Sequence, residues 1–367
     1  MQVVEFAGGT LRFLEQPPPR APESGFIWIA VERAAVEAHL PLLQQAAQVL
    51  GGSPLLDLHV KDLGNAAHPS HYDYTSVYDL VIFRRLSTRA ELPSEGDEAG
   101  EVPARTGSLP AFGRIRTQPV GFAAFDRLLI TVHSPDCAIG RTFAERFAAE
   151  AGQPNGAGAA ARSRLPSNPD DLMLRMLNVM VDSYLELRKQ LARELDHWQR
   201  HLVQPRSRGA DWGALMAARQ ALHRLEDLCE EQHDAVQEWL DARQEQPPAG
   251  MRQADHDNLV ARARDVIEHI ARVVHHVRRM EHGAETAVQI HFSAQGQRTN
   301  ETVRVLTALT AVFLPLNLIT GFFGMNFEFL PLIHSVDAMW IVLALMITVA
   351  VVLLILFWRK RYLAHTG

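Results

Sequence analysis

A stripe of small and polar residues near the C-terminus is the part of this sequence best suited to contact an ion. The stripe consists of Thr307, Thr310, Leu314, Asn317 and Gly321, at spacings of three, four, three and four, which place them on one face of a helix. Polar side chains on one face of an otherwise apolar helix usually line a cavity or contact a partner helix. Helix packing through small and hydroxylated residues is the alternative. Asn317 favours a cavity, because an amide at bilayer depth needs hydrogen-bonding partners.

The stripe lies in the first of two long uncharged segments. No charged residue occurs from Val305 to Phe327 or from Ala338 to Trp358, and about 20 helical residues cross a hydrocarbon core. The sequence therefore predicts two transmembrane helices, an external loop and a short cytosolic basic tail. Their predicted bounds are 305–327 and 338–358 for the helices, 328–337 for the loop and 359–367 for the tail.

Charged residues on either side of the two segments predict their orientation. Arg298 and Arg304 precede the first segment and three basic residues, 359–361, follow the second, whereas the loop carries Glu328 and Asp337 and no Lys or Arg. By the positive-inside rule both termini lie in the cytoplasm. The start of the chain has neither a basic region nor an apolar run, so we expect no signal peptide. The chain is predicted to be a multi-pass protein of the inner (plasma) membrane.

The C-terminal sequence resembles a known family. The run NETVRVLTALTAVFLPLNLITGFFGMNFEFLP is similar to the signature of the CorA family of divalent-cation transporters, a superfamily that includes the ZntB branch. Its hallmark, Gly-Met-Asn at the pore mouth, matches Gly324, Met325 and Asn326. The resemblance is strict over about the last 70 residues and weaker in cytosolic stretches such as HVKDLGNAAHPSHYDYTSVYDLVIF. It implies a homopentamer in the lipid bilayer, with a funnel of five stalk helices.

The resemblance assigns the selectivity filter for hydrated ions to Gly324, Met325 and Asn326. Mg²⁺ gives up its water reluctantly, so the side-chain carbonyl of Asn326, repeated around an axis, suits hydrogen bonds to the ion's water shell. Gly324 lets the backbone approach and present its own oxygens. A turn-forming glycine and a helix-capping asparagine are the alternative explanation. Glu328 and Asp337 are expected to add negative potential at the outer mouth.

The N-terminal region is predicted to be a mixed α/β domain, residues 1–151. Short β-branched apolar runs are typical of strands, and helical periodicity appears at Arg33–Leu50 and Thr142–Ala151. A loop is expected within Thr88–Thr117, and residues 152–169 have the composition of a linker. The predicted strands are Phe26–Val31, Ser76–Phe83, Val120–Phe125 and Leu128–His133.

Beyond the linker the chain is predicted to be helical. Residues 170–250 are expected to form a cytosolic helical pair, and residues 251–304 a stalk helix that continues into the membrane. Periodic apolar residues from Leu259 to Met280 favour one long helix, which would span on the order of 80–100 Å. The predicted fold class is an α+β membrane protein, with a cytosolic mixed α/β domain, a long α-helical stalk, two C-terminal transmembrane helices per subunit and, by resemblance, a homopentameric pore.

Four cytosolic residues are candidate metal ligands: Asp62, Asp265, Glu268 and His269. CorA-like proteins are thought to sense cytosolic Mg²⁺ at carboxylates between the stalk and the neighbouring subunit's domain, and the three acids match that pattern. Gln289 stands where the family usually pairs an acid with the first of them, which weakens this prediction. Solvated surface charges are the alternative. Asp265 and His269 are four residues apart, a spacing on one helical face that can chelate Zn²⁺.

Two ion preferences follow from the resemblance. The leading prediction is a Mg²⁺ channel, with Co²⁺ or Ni²⁺ as further substrates, gated by its cytosolic domain. The alternative is a Zn²⁺ transporter of the ZntB branch, with proton coupling, which the 17 histidines and Gln289 favour. Divalent cations would be substrate and regulator, and no prosthetic group is expected. The predicted pore lining is Val303, Leu306, Thr310, Leu314, Asn317 and Gly321.

Composition makes other functions less attractive. A net charge of −6 gives no overall basic surface for nucleic acid. No Ser/His/Asp ordering, phosphate loop or zinc-hydrolase spacing is evident, so we expect no enzyme. A membrane-anchored enzyme and a non-conducting sensor remain the competing classes. The two cysteines, Cys137 and Cys229, are expected to be unpaired thiols in a reducing compartment.

Overall fold

A single sheet organises the N-terminal unit, Met1–Glu285. The computed structural model describes residues 1–87, 110–113, 115–135, 137, 143, 145, 147, 165–203, 212–247, 251–325 and 336–359. Within these residues the strands are β1 (Gln2–Ala7), β2 (Thr10–Leu14), β3 (Gly25–Glu32), β4 (His71–Tyr74), β5 (Tyr78–Leu86), β6 (Thr117–Phe125) and β7 (Leu128–His133).

The strands pair in the order β2-β1-β3-β7-β6-β5-β4. Strands β3 and β7 are parallel, with Ile27 opposite Leu128 and Glu32 opposite His133, and the other pairs are antiparallel. A parallel pair needs a long crossover, and the chain between β3 and β7 supplies the other half of the sheet. Near-continuous burial of β3, from Phe26 to Val31, shows that both faces of the sheet are covered.

Helices cover both faces of the sheet. On one face, α1 (Val36–Ala46) and α2 (Asp57–Gly64) contribute Val36, Leu43 and Leu63 to a core that also contains alternate residues of the central strands. On the other face lies α4 (Pro169–Val203), which packs on β3, β5, β6 and β7, and the short α3 (Pro110–Gly113) lies beside it. The indole Nε1 of Trp28 donates to Thr131 Oγ1 at 3.0 Å on this face.

Two further helices follow α4 in the chain. Helix α5 (Trp212–Glu245) packs on β4 and β5, and α6 (Gln253–Phe323) is one continuous helix of 71 residues. The predicted apolar stripe of α6 is buried in the N-terminal unit, with Ala263, Val266 and Ile270 fully shielded. The stripe explains why this part of the helix is stable, because amphipathic burial contributes more than helix propensity.

The C-terminal unit, Thr286–Gly367, contains the end of α6 and helix α7 (Val336–Arg359). Both helices are long and apolar enough to cross a membrane. Apolar side chains here are exposed rather than buried: none of the 18 most apolar residues of α7, Trp340–Phe357, is buried. Exposed Leu, Val and Ile at this density are typical of a lipid-facing surface.

The predicted strands correspond to β3, β5, β6 and β7, although β5 begins at Tyr78 rather than Ser76 and β6 begins at Thr117. Three strands and a helix were not predicted: β1, β2, β4 and α2. The predicted loop at Thr88–Thr117 contains the single turn α3. Of the predicted helix Thr142–Ala151, the structure describes Phe143, Glu145 and Phe147, which are helical. Residues 152–164 of the predicted linker lie outside the described residues.

Two buried ion pairs of one arginine link α5 to the sheet and to α4. The guanidinium Nη2 of Arg243 lies 2.8 Å from Asp79 Oδ2 and 3.1 Å from Asp170 Oδ2. Burial raises the pKa of both carboxyls, that of Asp79 to about 6, although the charge of Arg243 opposes the shift. The single positive charge of Arg243 therefore pairs with two shielded carboxylates, at the point where α4, α5 and β5 meet.

We expect Asp79→Asn to change how stability depends on pH. In the folded state Asp79 has a pKa of about 6 against an ordinary value of 3.8, so its stabilising contribution is complete below pH of about 4 and is lost as pH rises through about 6. Between pH 4 and 7 the variant should gain about 2–3 kcal/mol relative to the original chain, measured by urea unfolding.

Asp73→Asn is the control, because it should change the pH dependence of stability in the opposite direction. Burial, the largest single influence, raises the pKa of Asp73, but hydrogen bonds from the Tyr74 backbone N–H and from His59, with the charges of His59 and His71, together outweigh it and lower the pKa. This variant should therefore lose stability relative to the original chain as pH rises through the acidic range. A difference between Asp79→Asn and the original chain that stays constant with pH would contradict the assignment.

Candidate cation pathway and metal ligands

The C-terminal part of α6 has two distinct faces. The predicted lining residues Val303, Leu306 and Leu314 are 55%, 61% and 69% exposed, and Thr310, Asn317 and Gly321 are exposed with them. At 100° per residue these six positions form one stripe. The less exposed residues of the same segment lie on the opposite face: Ala308, Ala311, Val312, Pro315, Leu316 and Ile319.

Threonine hydroxyls on this helix are satisfied locally. Thr307 Oγ1 donates to the carbonyl of Val303 at 2.8 Å, and Thr310 Oγ1 donates to that of Leu306 at 2.9 Å. A hydrogen bond of this kind to a carbonyl of the preceding turn satisfies the hydroxyl donor, so that threonine can lie in an apolar environment. The threonines therefore require no partner helix, although each hydroxyl oxygen can still accept a hydrogen bond from water.

Asn317 differs from the threonines. Its side-chain amide makes no hydrogen bond to any residue that the structure describes, and the residue is exposed. An amide carries two donors and an acceptor, and none of these is satisfied by its own helix. In a membrane, such a group requires water or another protein chain as its partner.

Helix α6 ends at the predicted filter. The last helical residue is Phe323, and the N–H of Gly324 donates to the Thr320 carbonyl at 2.9 Å. A Cβ at Gly324 would lie 2.9 Å from that same carbonyl oxygen, so a side chain there would crowd the final turn. Met325 is exposed beside it. Asn326 and Glu328 lie outside the described residues, and Asp337 is in the first turn of α7.

Asp62 lies in α2, and its side chain is partly shielded from solvent. Its carboxylate Oδ1 is 3.5 Å from Nε2 of His68, and the two side chains are partly buried. The backbone carbonyl of Asp62 also accepts from the N–H of Asn65 at the end of the helix. In this chain the predicted metal ligand therefore has a histidine as its neighbour.

The other predicted ligands lie on the part of α6 within the N-terminal unit, where His269 is placed between two carboxylates. Its Nε2 is 3.6 Å from Asp265 Oδ1, as the spacing of four predicted, and its Nδ1 is 3.3 Å from Asp182 Oδ1 on α4. Glu268 is directed instead to Arg272, at 2.7 Å. Sequence reasoning missed Asp182, because nothing local in α4 indicates which turn of α6 it faces.

Among the described residues, one group of three potential ligands lies within 4.8 Å, namely His223, Glu226 and Glu281. It joins α5 to α6, and none of the predicted ligands belongs to it. Arg278 pairs with Glu226, and Arg219 lies 3.9 Å from Glu281. These guanidiniums compensate the carboxylates, so the group is part of an ion-pair network between the helices.

Comparison with known sequences relates the chain to transporters. The family described as CorA-like Mg²⁺ transporter protein matches residues 104–361. The cobalt/magnesium transport protein CorA of Thermotoga maritima is 31% identical over 100 residues, which are 27% of this chain and 28% of that protein. The aligned stretch therefore covers less than a third of this relative.

Comparison with solved structures covers more of the chain. The complete structure of the CorA magnesium transporter from Methanocaldococcus jannaschii gives a TM-score of 0.72 at 16% identity and covers 98% of each chain. The cytoplasmic domain of ZntB from Vibrio parahaemolyticus gives a TM-score of 0.51 at 11% identity and covers 81% of this chain and 98% of that one. At such identities the likeness establishes a shared fold, and it does not separate the two branches.

Proposed function

Because the chain belongs to the CorA-like Mg²⁺ transporter family, we propose that it carries divalent cations across a membrane, with Mg²⁺ as the principal ion and Co²⁺ or Ni²⁺ as further substrates. Two helices per chain cannot enclose a water-filled path, so the conduit requires several copies around one axis. Five copies are the number that the resemblance implies. The chain would transport ions and would catalyse no reaction.

The exposed amide of Asn317 is the observation that carries this proposal. It lies on a face of α6 that has no charged residue from Val305 onward and is opposite the half-buried face. If that face pointed to lipid, three hydrogen-bonding groups would be unsatisfied, at several kcal/mol each. A wet central path satisfies them, and Val303, Leu306 and Leu314 then act as apolar constrictions along it.

The filter is proposed at the end of this face. Gly324, Met325 and Asn326 from each copy would form a ring that binds the ion with its water shell retained. Glu328 and Asp337 would concentrate cations at the outer mouth. In this arrangement both termini lie on the cytoplasmic side of the inner membrane.

Zn²⁺ transport with proton coupling is the second candidate. The observation that favours it is His269 between Asp182 and Asp265, since imidazole with carboxylates is a donor set suited to Zn²⁺. The same three side chains would act as a cytosolic sensor. Solvated Mg²⁺, by contrast, is bound through carboxylates and water.

Flux into liposomes distinguishes the two candidates. Purified full-length protein is reconstituted with an ion-specific fluorescent indicator inside, and Mg²⁺ or Zn²⁺ is added outside with and without a pH gradient. We expect Mg²⁺ entry that is driven by membrane potential and is independent of the pH gradient. Zn²⁺ entry that follows the pH gradient, without Mg²⁺ entry, would replace the first proposal by the second. Protein-free liposomes provide the background rate.

A further inference from the structure

A cleft between α4 and α6 contains positive charge that none of the residues described by the structure neutralises. Its volume is about 810 Å³, within the range of small-molecule sites. It lies in the N-terminal unit and shares no residue with the proposed pathway. The lining residues are Glu186, Arg188, Lys189, Ala192, Arg193, Leu195, Asp196, His276, Arg279, Met280 and Gly283.

Two arginines of this cleft have no carboxylate partner among the described residues. The Nε of Arg188 is shielded from solvent and makes no hydrogen bond within the described part of the chain. The contact of Arg279 is with another potential cation, Nε2 of His275, at 3.4 Å. By comparison, Lys189 in the same cleft pairs with Glu186 at 2.9 Å. Among the described lining residues, four Lys and Arg side chains face two carboxylates, which leaves an excess of two positive charges.

His276 lies within the same cluster of positive charges. Burial lowers its pKa, and the charges of Arg188 and Arg279, together with His275 and Arg272, lower it further. Of these neighbours Arg272 is compensated, by Glu268 at 2.7 Å. Cations that repel one another around a cavity are the arrangement expected where an anionic ligand supplies the missing charge.

We propose that this cleft binds a phosphate-bearing anion of nucleotide size. Guanidinium groups match phosphate oxygens with two parallel N–H donors, and Arg188 and Arg279 approach from different helices. Ala192, Leu195 and Met280 provide an apolar wall, which suits the base of a nucleotide. The ligand class is therefore a nucleoside polyphosphate, held by its phosphates on the arginines.

Calorimetric titration of the full-length protein in detergent tests this proposal. The probes are ATP, tripolyphosphate and adenosine, in buffer with EDTA so that ATP does not bind a transported cation. We expect saturable binding of ATP and of tripolyphosphate, and none of adenosine. The double variant Arg188→Gln/Arg279→Gln should bind ATP about tenfold more weakly or worse, because it removes two charge-assisted hydrogen-bond donors.

The matched control removes the same charge elsewhere. Arg224 on α5 and Arg264 on α6 are exposed, and Arg224→Gln/Arg264→Gln should bind ATP as the original chain does. Arg188→Lys/Arg279→Lys keeps the charge without the forked donors and should bind with intermediate affinity. The proposal is overturned if the original chain binds neither ATP nor tripolyphosphate, or if both glutamine double variants weaken binding equally.

Discussion

Asn326→Ala is expected to lower divalent-cation flux by about tenfold or more while leaving the assembly intact. In the proposed filter the amide oxygen accepts hydrogen bonds from waters of the hydrated ion, and alanine cannot accept them. Because Mg²⁺ keeps its first water shell, the ring loses its means of recognition when the carbonyl is removed. The measurement is indicator flux in liposomes, together with light scattering to determine the number of chains in the particle.

Asn258→Ala is the matched control for this substitution. Asn258 is an exposed residue near the N-terminal end of α6, so the same chemical change there should leave flux unaltered. Asn326→Gln retains the amide but displaces it by one methylene and should retain part of the flux. Unchanged flux in Asn326→Ala would show that Asn326 is a capping residue and that recognition occurs elsewhere.

Arg243→Ala is expected to destabilise the protein by about 3–5 kcal/mol, since it leaves two shielded carboxylates without their common cation. For a unit of this size the loss corresponds to a decrease in Tm of roughly 6–20 °C. The loss should be greater at pH 8 than at pH 5, because Asp79 and Asp170 can take up protons at the lower pH and so avoid burying charge. Thermal unfolding of the full chain at both pH values provides the measurement.

A solvent-exposed Arg–Asp ion pair provides the control for Arg243→Ala. Arg252 also pairs with an aspartate, Asp255 at 2.8 Å, but its side chain is 83% exposed. Arg252→Ala should leave Tm unchanged within error, as exposed pairs contribute little. Equal effects of the two substitutions would mean that burial of Asp79 and Asp170 adds nothing to the cost.

The long helices were predictable from the sequence because their apolar residues recur periodically or extend over many positions. The apolar stripe of α6 and the uncharged segments are properties of many residues at once, so single exceptions do not hide them. By contrast, β2 is an edge strand without a buried residue, and β4 has four residues. Such segments acquire their structure from the neighbouring strand, β1 or β5, rather than from local preference.

The candidate site was predictable to the extent that it lies on one helix. Positions such as Thr310 and Asn317 share a face by spacing alone, and Asp265 and His269 meet for the same reason. Contacts between helices were not predictable. Asp182 meets His269, and Arg188 lies with Arg279 at one cleft, only after α4 packs beside α6. Asn326 stays a prediction from the resemblance, outside the described residues.

The parallel pairing of β3 with β7 has a consequence for synthesis of the chain. Strand β3 ends at Glu32, and its partner β7 begins at Leu128. At about 5–20 residues per second, roughly 5–20 s pass between the synthesis of the two strands. During that interval one edge of β3 has free backbone N–H and C=O groups, which can pair with other chains. Nascent chains that stall before Leu128 should therefore be the aggregation-prone species and should be bound by chaperones at the β3 edge.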